Sequence, residues 1–437
     1  MKKLLVLQGP ASSRSGYGDH TRDILKSLIA MDKFEIKVVD LRWGDCPRNG
    51  ISKNDEHLKK YFLTANLTRQ PDVFIQVSVP NEFMRRGKYN IGITAGMETT
   101  AVSPKWVQGS NVMDLIIVPS EHSKETLINS LYDTVDKRTN QKTGTLQVQK
   151  PVEVLFEGAD PNIYKETKEI SDNLKEQFSK IDNDFCFLYV GHWLQGNLGE
   201  DRKDTGMMLK VFLETFKGKK KKPALIMKTS GAGFSVIDRK DILNKIKMIK
   251  DNIPSEDLPD IYLLHGDLTD EEMNQMYNHP KVKAHLSFTH GEGFGRPLLE
   301  ASFSGKPILA PLWSGQKDFL NKDYVVELQH TLTKVPKSAF PKEFSNNEAL
   351  WATVNYSMAS QAMRNIVKDY KRYELKGKKL MIVNRQLFSH EAMKEKLEGI
   401  VDKTLDGVPM QVGLTLPKLK KKGSPSSKIK LPKLKRG

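Results

Sequence analysis

Two glutamates, Glu292 and Glu300, lie in a glycine-rich segment that joins an apolar run to an amphipathic stretch. From His290 the segment reads His-Gly-Glu-Gly-Phe-Gly-Arg-Pro-Leu-Leu-Glu. Glycines let a backbone approach a ligand closely, and Pro297 suits the first turn of a helix, whose free N–H groups attract phosphate. Two carboxylates can accept hydrogen bonds from sugar hydroxyls. The segment therefore predicts a phosphate and sugar site, although a strand, turn and helix without a ligand would have a similar pattern.

Short apolar runs alternate with amphipathic stretches over most of the chain, which predicts β-α-β units with parallel strands. The strands that we predict are Leu4–Gln8, Glu35–Asp40, Val73–Ser78, Asn90–Thr94, Leu115–Pro119, Val152–Phe156, Phe185–Val190, Leu225–Lys228, Ile261–Leu264, His285–Phe288 and Ile308–Ala310. The helices are Tyr17–Met31, Glu121–Leu131, Thr205–Phe216, Lys240–Lys250, Asp270–Asn278 and Pro297–Ser304, with further helices over 356–404.

The 437 residues exceed the ~250–300 that one hydrophobic core usually organises, so we expect two α/β domains. The pattern places an N-terminal Rossmann-like domain at 1–170 and a second at 183–370. Helices would also cover 371–405, and a basic disordered tail would cover 410–437. In doubly wound sheets of this kind, ligands bind at the carboxyl ends of the strands.

The formal net charge is +16, and nine Lys or Arg residues with no acid lie within 411–437. This tail is either a solvated segment or a contact with a polyanion such as nucleic acid, a membrane surface or an acidic protein. No apolar run is long enough to span a membrane, and the run Leu4–Leu7 is too short for an export signal. Two cysteines, Cys46 and Cys186, predict neither a disulfide framework nor a metal site. A cytoplasmic protein is expected, in the host cytoplasm if the chain is viral.

The frame Gly-Glu-Gly-Phe-Gly-x-Pro-x-x-Glu-Ala at 291–301, followed by Gly-Lys-Pro-Ile from Gly305, resembles the signature of retaining GT-B glycosyltransferases. The resemblance extends in order over roughly residues 1–405. It implies two Rossmann-like domains that face one another across a cleft, helices over 371–405 that cross back to the N-terminal domain, and a nucleotide-diphosphate sugar as donor. It also implies that Glu292 contacts the transferred sugar and that Glu300 holds the ribose hydroxyls. Arg296 stands where the family usually has an aliphatic residue, and it would either reach a charged group or face solvent.

The resemblance implies further donor-binding residues, which are His290, Gly291, Gly293, Phe294 and Gly295 beside the sugar and diphosphate, Arg202 and Lys203 on the diphosphate, Leu264 on the base, and Gly16 and Gly18 near the phosphates. Glu292, Glu98 and Lys203 are the catalytic candidates, with Glu98 on the acceptor side. The basic pair could instead be two exposed, solvated residues, and the first glycine loop could be a plain turn without a ligand. His192 and Trp193 stand where the family often has an arginine.

By resemblance the reaction is hexosyl or pentosyl transfer to an acceptor hydroxyl, with retention of anomeric configuration and without a metal or another cofactor. The acceptor stays open among a glycan, a lipid, a protein and modified DNA, and the origin is viral or bacterial. Two other function classes remain open. One is a sugar-nucleotide epimerase or a phosphorylase on the same fold. The other is a basic nucleic-acid-binding protein, including a DNA-base glycosyltransferase.

Overall fold

The computed structural model describes residues 2–194, 196–231, 233–339 and 348–408. The predicted basic tail lies outside the described residues. Two six-stranded sheets, each entirely parallel, form the centres of two α/β domains. We call them the N-terminal domain and the C-terminal domain.

The N-terminal domain contains the first eight strands and the first three helices. They are β1 (Lys3–Gly9), α1 (Gly16–Met31), β2 (Phe34–Asp40), β3 (Val73–Val77), β4 (Tyr89–Ile93), α2 (Pro104–Ser110), β5 (Leu115–Val118), α3 (Glu121–Asn129), β6 (Tyr132–Val135), β7 (Lys142–Leu146) and β8 (Val152–Val154). Its sheet has the order β2-β1-β3-β4-β5-β8, while β6 and β7 form a separate antiparallel hairpin.

The C-terminal domain follows α4 (Asp172–Ser179) and repeats the alternation. Its elements are β9 (Cys186–His192), α5 (Thr205–Phe216), β10 (Ala224–Ser230), α6 (Val236–Asp251), β11 (Ile261–Leu264), α7 (Asp270–Asn278), β12 (Val282–Leu286), α8 (Arg296–Ser302), β13 (Ile308–Ala310), β14 (Val326–Glu327), β15 (His330–Lys334) and β16 (Leu350–Val354). The sheet order is β11-β10-β9-β12-β13-β14, and β15 pairs with β16 alone.

Three closing helices follow, α9 (Tyr356–Lys368), α10 (Tyr370–Leu387) and α11 (His390–Leu405). The last of them returns to the N-terminal domain, where it packs on α1. Lys33 at the end of α1 forms ion pairs with Glu398 and Asp402 of α11. The aromatic rings of Phe156, Phe294, Phe319 and Phe388 lie in mutual contact between the two domains. The crossing helix and this aromatic cluster hold the two sheets against one another.

The strands of the two sheets are buried because helices cover both faces. Several helices begin at a serine or threonine that caps the first turn, and Thr269 with Glu272 forms a capping box at α7. The predicted strands are all present, with shifted ends. β12 ends at Leu286, before the predicted end at Phe288, because the chain turns there into the loop before α8. α6 begins at Val236 rather than Lys240 because Ser235 caps it. Among the described residues, no helix combines the length and apolarity needed to cross a membrane.

Candidate functional site

A cavity of about 330 Å³ lies between the two domains, at the carboxyl ends of β1, β9 and β10. Arg14, Gly16 and Asp19 line it from the N-terminal domain. Side chains of the C-terminal domain line the other side, among them His192, Arg202, Lys203, Lys228, Asp267, Arg296 and Glu300. A cavity therefore lies at the strand ends, where the sequence predicts a ligand, and several cationic side chains line it.

A second cavity of about 220 Å³ adjoins the first along the loop after β11. Leu264 lines it, and Lys228, Asp267 and Leu268 line both cavities. The two cavities therefore share part of their wall.

Arg14 of the N-terminal domain closes the space against this same loop. Its guanidinium Nε lies 3.0 Å from the Asp267 carboxylate and its Nη1 lies 3.5 Å from that of Asp270. It also donates a hydrogen bond to the Leu268 carbonyl. The glycine loop after β1 therefore contacts the C-terminal domain at the border of the two cavities, through Arg14 rather than through its glycines.

Glu292 lies at the centre of a buried charge cluster. Lys203 Nζ forms an ion pair with Glu292 Oε1, and Arg202 Nη1 lies 3.3 Å from Oε2. The same Arg202 nitrogen lies 2.8 Å from Glu98 Oε1 in the N-terminal domain. The backbone N–H of Glu292 donates to Ser314 Oγ at 2.7 Å. The three catalytic candidates from the sequence therefore lie together with Arg202 in one cluster that spans the two domains.

Burial of Glu292 opposes its ionisation, but Lys203 and Arg202 outweigh that effect and hold the pKa of Glu292 below its ordinary value. Glu292 is therefore a carboxylate at neutral pH. It neutralises two cations that also line the cavity. The cluster can offer positive charge to a ligand while keeping its own net charge small.

His290 holds the loop after β12 in place. Its ring stacks on Trp351 with centroids 4.0 Å apart, and its Nδ1 lies 2.6 Å from the Ala352 carbonyl oxygen. Its Nε2 lies 3.3 Å from the Gly199 carbonyl oxygen, and burial lowers the pKa of His290 against the effect of these two carbonyl contacts. The side chain is absent from the cavity lining. The structure thus places His290 as a support for the loop.

The loop glycines make close approaches between the domains. A Cβ at Gly293 would collide with the Ala95 carbonyl, and the Gly293 carbonyl accepts a hydrogen bond from Ser120 Oγ at 2.7 Å. A Cβ at Gly291 would contact Glu98. Gly295 caps α8 at φ 104°, a conformation that favours glycine. These glycines allow the loop to lie directly against the N-terminal domain.

Two other predicted donor residues occupy structural positions. The Phe294 ring is 2% exposed and packs on Phe319 and Phe388 in the core. Gly18 lies in the first turn of α1, where a Cβ would collide with the Ser13 carbonyl. Gly16, by contrast, lines the cavity with open space at its Cβ position. The sequence contains no signal that tells whether an apolar side chain such as Phe294, or a helix glycine such as Gly18, packs in the core or contacts a ligand.

Glu300 lies in the cavity wall on the first turns of α8. Arg296 Nε donates to its Oε1 at 2.8 Å. Burial raises the pKa of Glu300 to about 7, against the opposing influence of Arg296. Arg296 itself is largely buried and also binds Asp23 of α1. Of the two alternatives for Arg296, contact with charged groups is the observed one and a solvent-facing position is wrong.

Lys228 is a cationic side chain of the cavity wall that the sequence analysis did not predict. It lines both cavities and donates to the neutral Gly266 carbonyl at 2.6 Å, without an ion pair to any described residue. Burial lowers the pKa of Lys228 to about 8. His192 stands where the resembling family often has an arginine, and it also lines the cavity. Burial lowers its pKa, which disfavours the charged imidazolium. Lys228 lies within β10, close to its carboxyl end, and that placement was the available signal.

The described residues contain no group of three or more His, Cys, Asp or Glu side chains arranged to hold a metal ion. Asp182 and Asn183 precede β9, and both contact the hydroxyl of Tyr262. These hydrogen bonds therefore explain the polar residues of the loop before β9.

No protein-family model matches the sequence, and no curated protein matches it either. Solved structures do match over nearly the whole chain. HepE of Anabaena in complex with UDP and glucose has a TM-score of 0.57 at 10% identity, over 92% of this chain and 100% of that chain. Sucrose-phosphate synthase of Thermosynechococcus elongatus has 0.58 at 11%, over 92% and 99%. A UDP-forming trehalose-phosphate synthase of Burkholderia xenovorans has 0.57 at 10%, over 91% and 98%.

The chain has the GT-B fold. The predicted fold class is confirmed, since two parallel-sheet domains face each other and a terminal helix crosses back. In this GT-B chain the cavity occupies the space between the domains, and the Glu292 cluster lies beside it. The fold alone leaves the chemistry open, because one architecture supports many reactions.

Proposed function

We propose that the chain is a glycosyltransferase that moves a hexose or pentose from a nucleotide-diphosphate sugar to an acceptor hydroxyl. The observation that carries the proposal is the interdomain cavity, which combines Arg202, Lys203 and Lys228 with the carboxylate of Glu300. Cations at this position suit a diphosphate, and a carboxylate suits a pair of ribose hydroxyls. The structural neighbour HepE holds UDP and glucose, and HepE was also solved with UDP-glucose, which favours a nucleotide sugar here.

The adjoining cavity along Leu264 to Leu268 would receive the base, and the larger cavity would receive ribose, diphosphate and sugar. Glu300 would accept hydrogen bonds from the ribose. Lys203, Arg202 and Lys228 would neutralise the diphosphate as negative charge develops on it, which is the main electrostatic requirement of the reaction. Glu292 is absent from the cavity lining, so its proposed part is to keep Lys203 and Arg202 in place, and its contact with the transferred sugar stays a prediction.

The proposed reaction retains the anomeric configuration. The acceptor hydroxyl attacks C1 on the face that the diphosphate leaves, the C1–O bond to the phosphate breaks, and the departing phosphate takes the hydroxyl proton. The protein supplies orientation and charge neutralisation through the cationic side chains, so no metal or other cofactor enters the proposal. Glu98 lies on the N-terminal side of the cluster and would border the acceptor.

The decisive experiment is a thermal-shift screen of the purified chain against UDP-, GDP-, ADP-, TDP- and CMP-sugars, with sugar release followed in parallel. A donor at ~100 times its dissociation constant adds roughly 2.7 kcal/mol of stability. The shift is expected to disappear in Lys203→Met and to persist in Lys371→Met, a control at an exposed lysine of α10. If no sugar nucleotide stabilises the wild type, the proposal fails. A sugar nucleotide converted to its epimer without an acceptor would replace transferase by epimerase.

A further inference from the structure

Arg296, the first residue of α8, joins side chains from three parts of the molecule. Its Nε donates to Glu300 Oε1 at 2.8 Å on its own helix, and its Nη1 forms an ion pair with Asp23 Oδ2 on α1. The second Asp23 oxygen lies 2.9 Å from His390 Nε2, at the start of α11. Asp23 and Glu300 are nearly inaccessible to solvent. One guanidinium therefore contacts two buried carboxylates, one from each domain.

The two carboxylates differ in their relation to the cavity. Glu300 and Arg296 line it, whereas Asp23 is absent from the lining. Asp23 can therefore affect a ligand through Arg296 and Glu300, but it cannot touch that ligand. An aliphatic residue at position 296, usual in the resembling family, would make neither contact.

The surroundings of Glu300 make this guanidinium important. The groups that act on Glu300 are Arg296, Asp19 of α1, Glu157 after β8, Asp270 of α7, Tyr164 and Tyr277. Asp23 of α1 acts on Arg296. Arg296 is the cation in direct contact with Glu300. A buried carboxylate that loses its cationic partner is left unpaired or takes up a proton. The protonated carboxyl is a poorer acceptor for hydroxyl donors, and the unpaired carboxylate has lost the contact that orients it.

We infer that Arg296 is a positioning residue, which makes the ligand-binding geometry of Glu300 depend on the contact between the two domains through Asp23. The inference rests on the proposed function, because it takes Glu300 as the acceptor for the ribose of a nucleoside diphosphate. Domain contact orients Arg296, and Arg296 orients the Glu300 carboxylate toward the cavity. By linkage, a nucleotide that binds Glu300 also strengthens the contact between the domains.

The test uses the full chain with Asp23→Asn, Arg296→Met, the double variant and Arg296→Lys. Affinity for UDP and for GDP is measured by calorimetry, and the radius of gyration without nucleotide is measured by small-angle scattering. Losing a charge-assisted contact that orients the ligand partner should weaken nucleotide binding roughly tenfold to a hundredfold in each single variant. The double variant should bind no more weakly than Arg296→Met, because both changes interrupt one path. Arg296→Lys, which cannot reach both carboxylates with a fork, should fall between Arg296→Met and wild type.

Arg85→Met is the matched control. Arg85 also forms a two-contact ion pair with an aspartate, Asp114 at 2.7 and 3.0 Å, but at the amino end of β5 and outside the cavity lining. It should leave nucleotide affinity unchanged. A pH series separates positioning from general destabilisation. The pH at which nucleotide affinity reaches half its maximum should be higher in Arg296→Met than in wild type, because Glu300 loses the cation that favours its ionised form. Circular dichroism establishes that each variant is folded.

Wild-type affinity in Asp23→Asn, with an unchanged radius of gyration, would overturn the inference and leave the proposed function intact. So would losses in the double variant that simply add. If the wild type binds neither diphosphate, the proposed function is refuted for these nucleotides. Scattering alone then tests the contact between the domains through Arg296 and Asp23. Expanded Arg296→Met and Asp23→Asn variants support it, and compact variants reject it.

Discussion

Glu157 offers a sharp test of how burial controls charge beside the cavity. It follows β8, its residue is 6% exposed, and it lies near Asp23, Asp19 and Glu300 as well as Arg296. Burial raises its pKa from 4.5 to about 8. Because the folded chain binds this proton more tightly than the unfolded chain, the carboxyl makes folding less favourable as pH rises from 4.5 to about 8.

The magnitude follows from the displacement of the pKa. A rise from 4.5 to about 8, at about 1.4 kcal/mol per pH unit, corresponds to roughly 5 kcal/mol of stability lost across that range. Glu157→Gln keeps the shape of the side chain and removes the ionisation. We therefore expect variant and wild type to have similar stability near about pH 5, and the variant to be more stable by several kcal/mol near about pH 8.5.

The assay is urea unfolding of both proteins across that pH range, read by tryptophan fluorescence and circular dichroism. Groups far from Glu157 titrate alike in both proteins, so the difference reports Glu157 together with its charged neighbours, Glu300 among them. The control is Glu256→Gln, at an exposed residue, which should give a difference that is flat with pH. A Glu157→Gln difference that stays flat, or that turns against the variant at high pH, would refute the reasoning.

Three further predictions concern the cavity and the core. Gly293→Ala should lower both thermal stability and donor affinity, because its Cβ would collide with a carbonyl of the other domain. The control is Gly399→Ala, in open space on α11, which should stabilise the chain by about 0.5–1 kcal/mol in thermal unfolding. Lys228→Met should weaken nucleotide-diphosphate binding by about tenfold or more at neutral pH in calorimetry, and wild-type binding should weaken above about pH 8 as Lys228 loses its proton; a pH-independent affinity would contradict the assignment. Cys186, buried and with its pKa raised by burial to about 12, should resist iodoacetamide until the chain unfolds, as mass spectrometry of native and urea-treated protein would report.

The segment around Glu292 shows how far sequence reasoning reached into the site. The family resemblance pointed to Glu292, Arg202 and Lys203, which form one cluster, while Glu300 lies apart in the cavity wall with Arg296. The strand ends predicted the cavity. The same reasoning placed Phe294 and His290 beside a ligand, while the structure uses their rings for packing and loop support. A motif identifies neighbours in sequence, and only the direction of each side chain separates ligand contact from packing.

Contacts over long sequence distances were outside the reach of the sequence. Arg296 and Asp23 are 273 residues apart, and Arg14 and Asp267 are 253 apart. Neither pair shares a helical or strand periodicity that would connect its members. Arg296 was recognised as a departure from the family pattern, but its partners depended on how α8 lies against α1. The same holds for Lys228, whose pairing with a carbonyl depends on the loop after β11.

The sequence by itself determined two parallel-sheet domains, most of their strands and helices, and the capping at α7, because periodicity and caps act over a few residues. Tertiary structure decided which charges meet. Lys203 and Arg202 keep Glu292 ionised against the effect of its burial, and burial brings the pKa of Glu300 near neutrality. These are properties of the space between surfaces that the chain brings together only on folding, since desolvation and ion pairing depend on distances that no local pattern specifies.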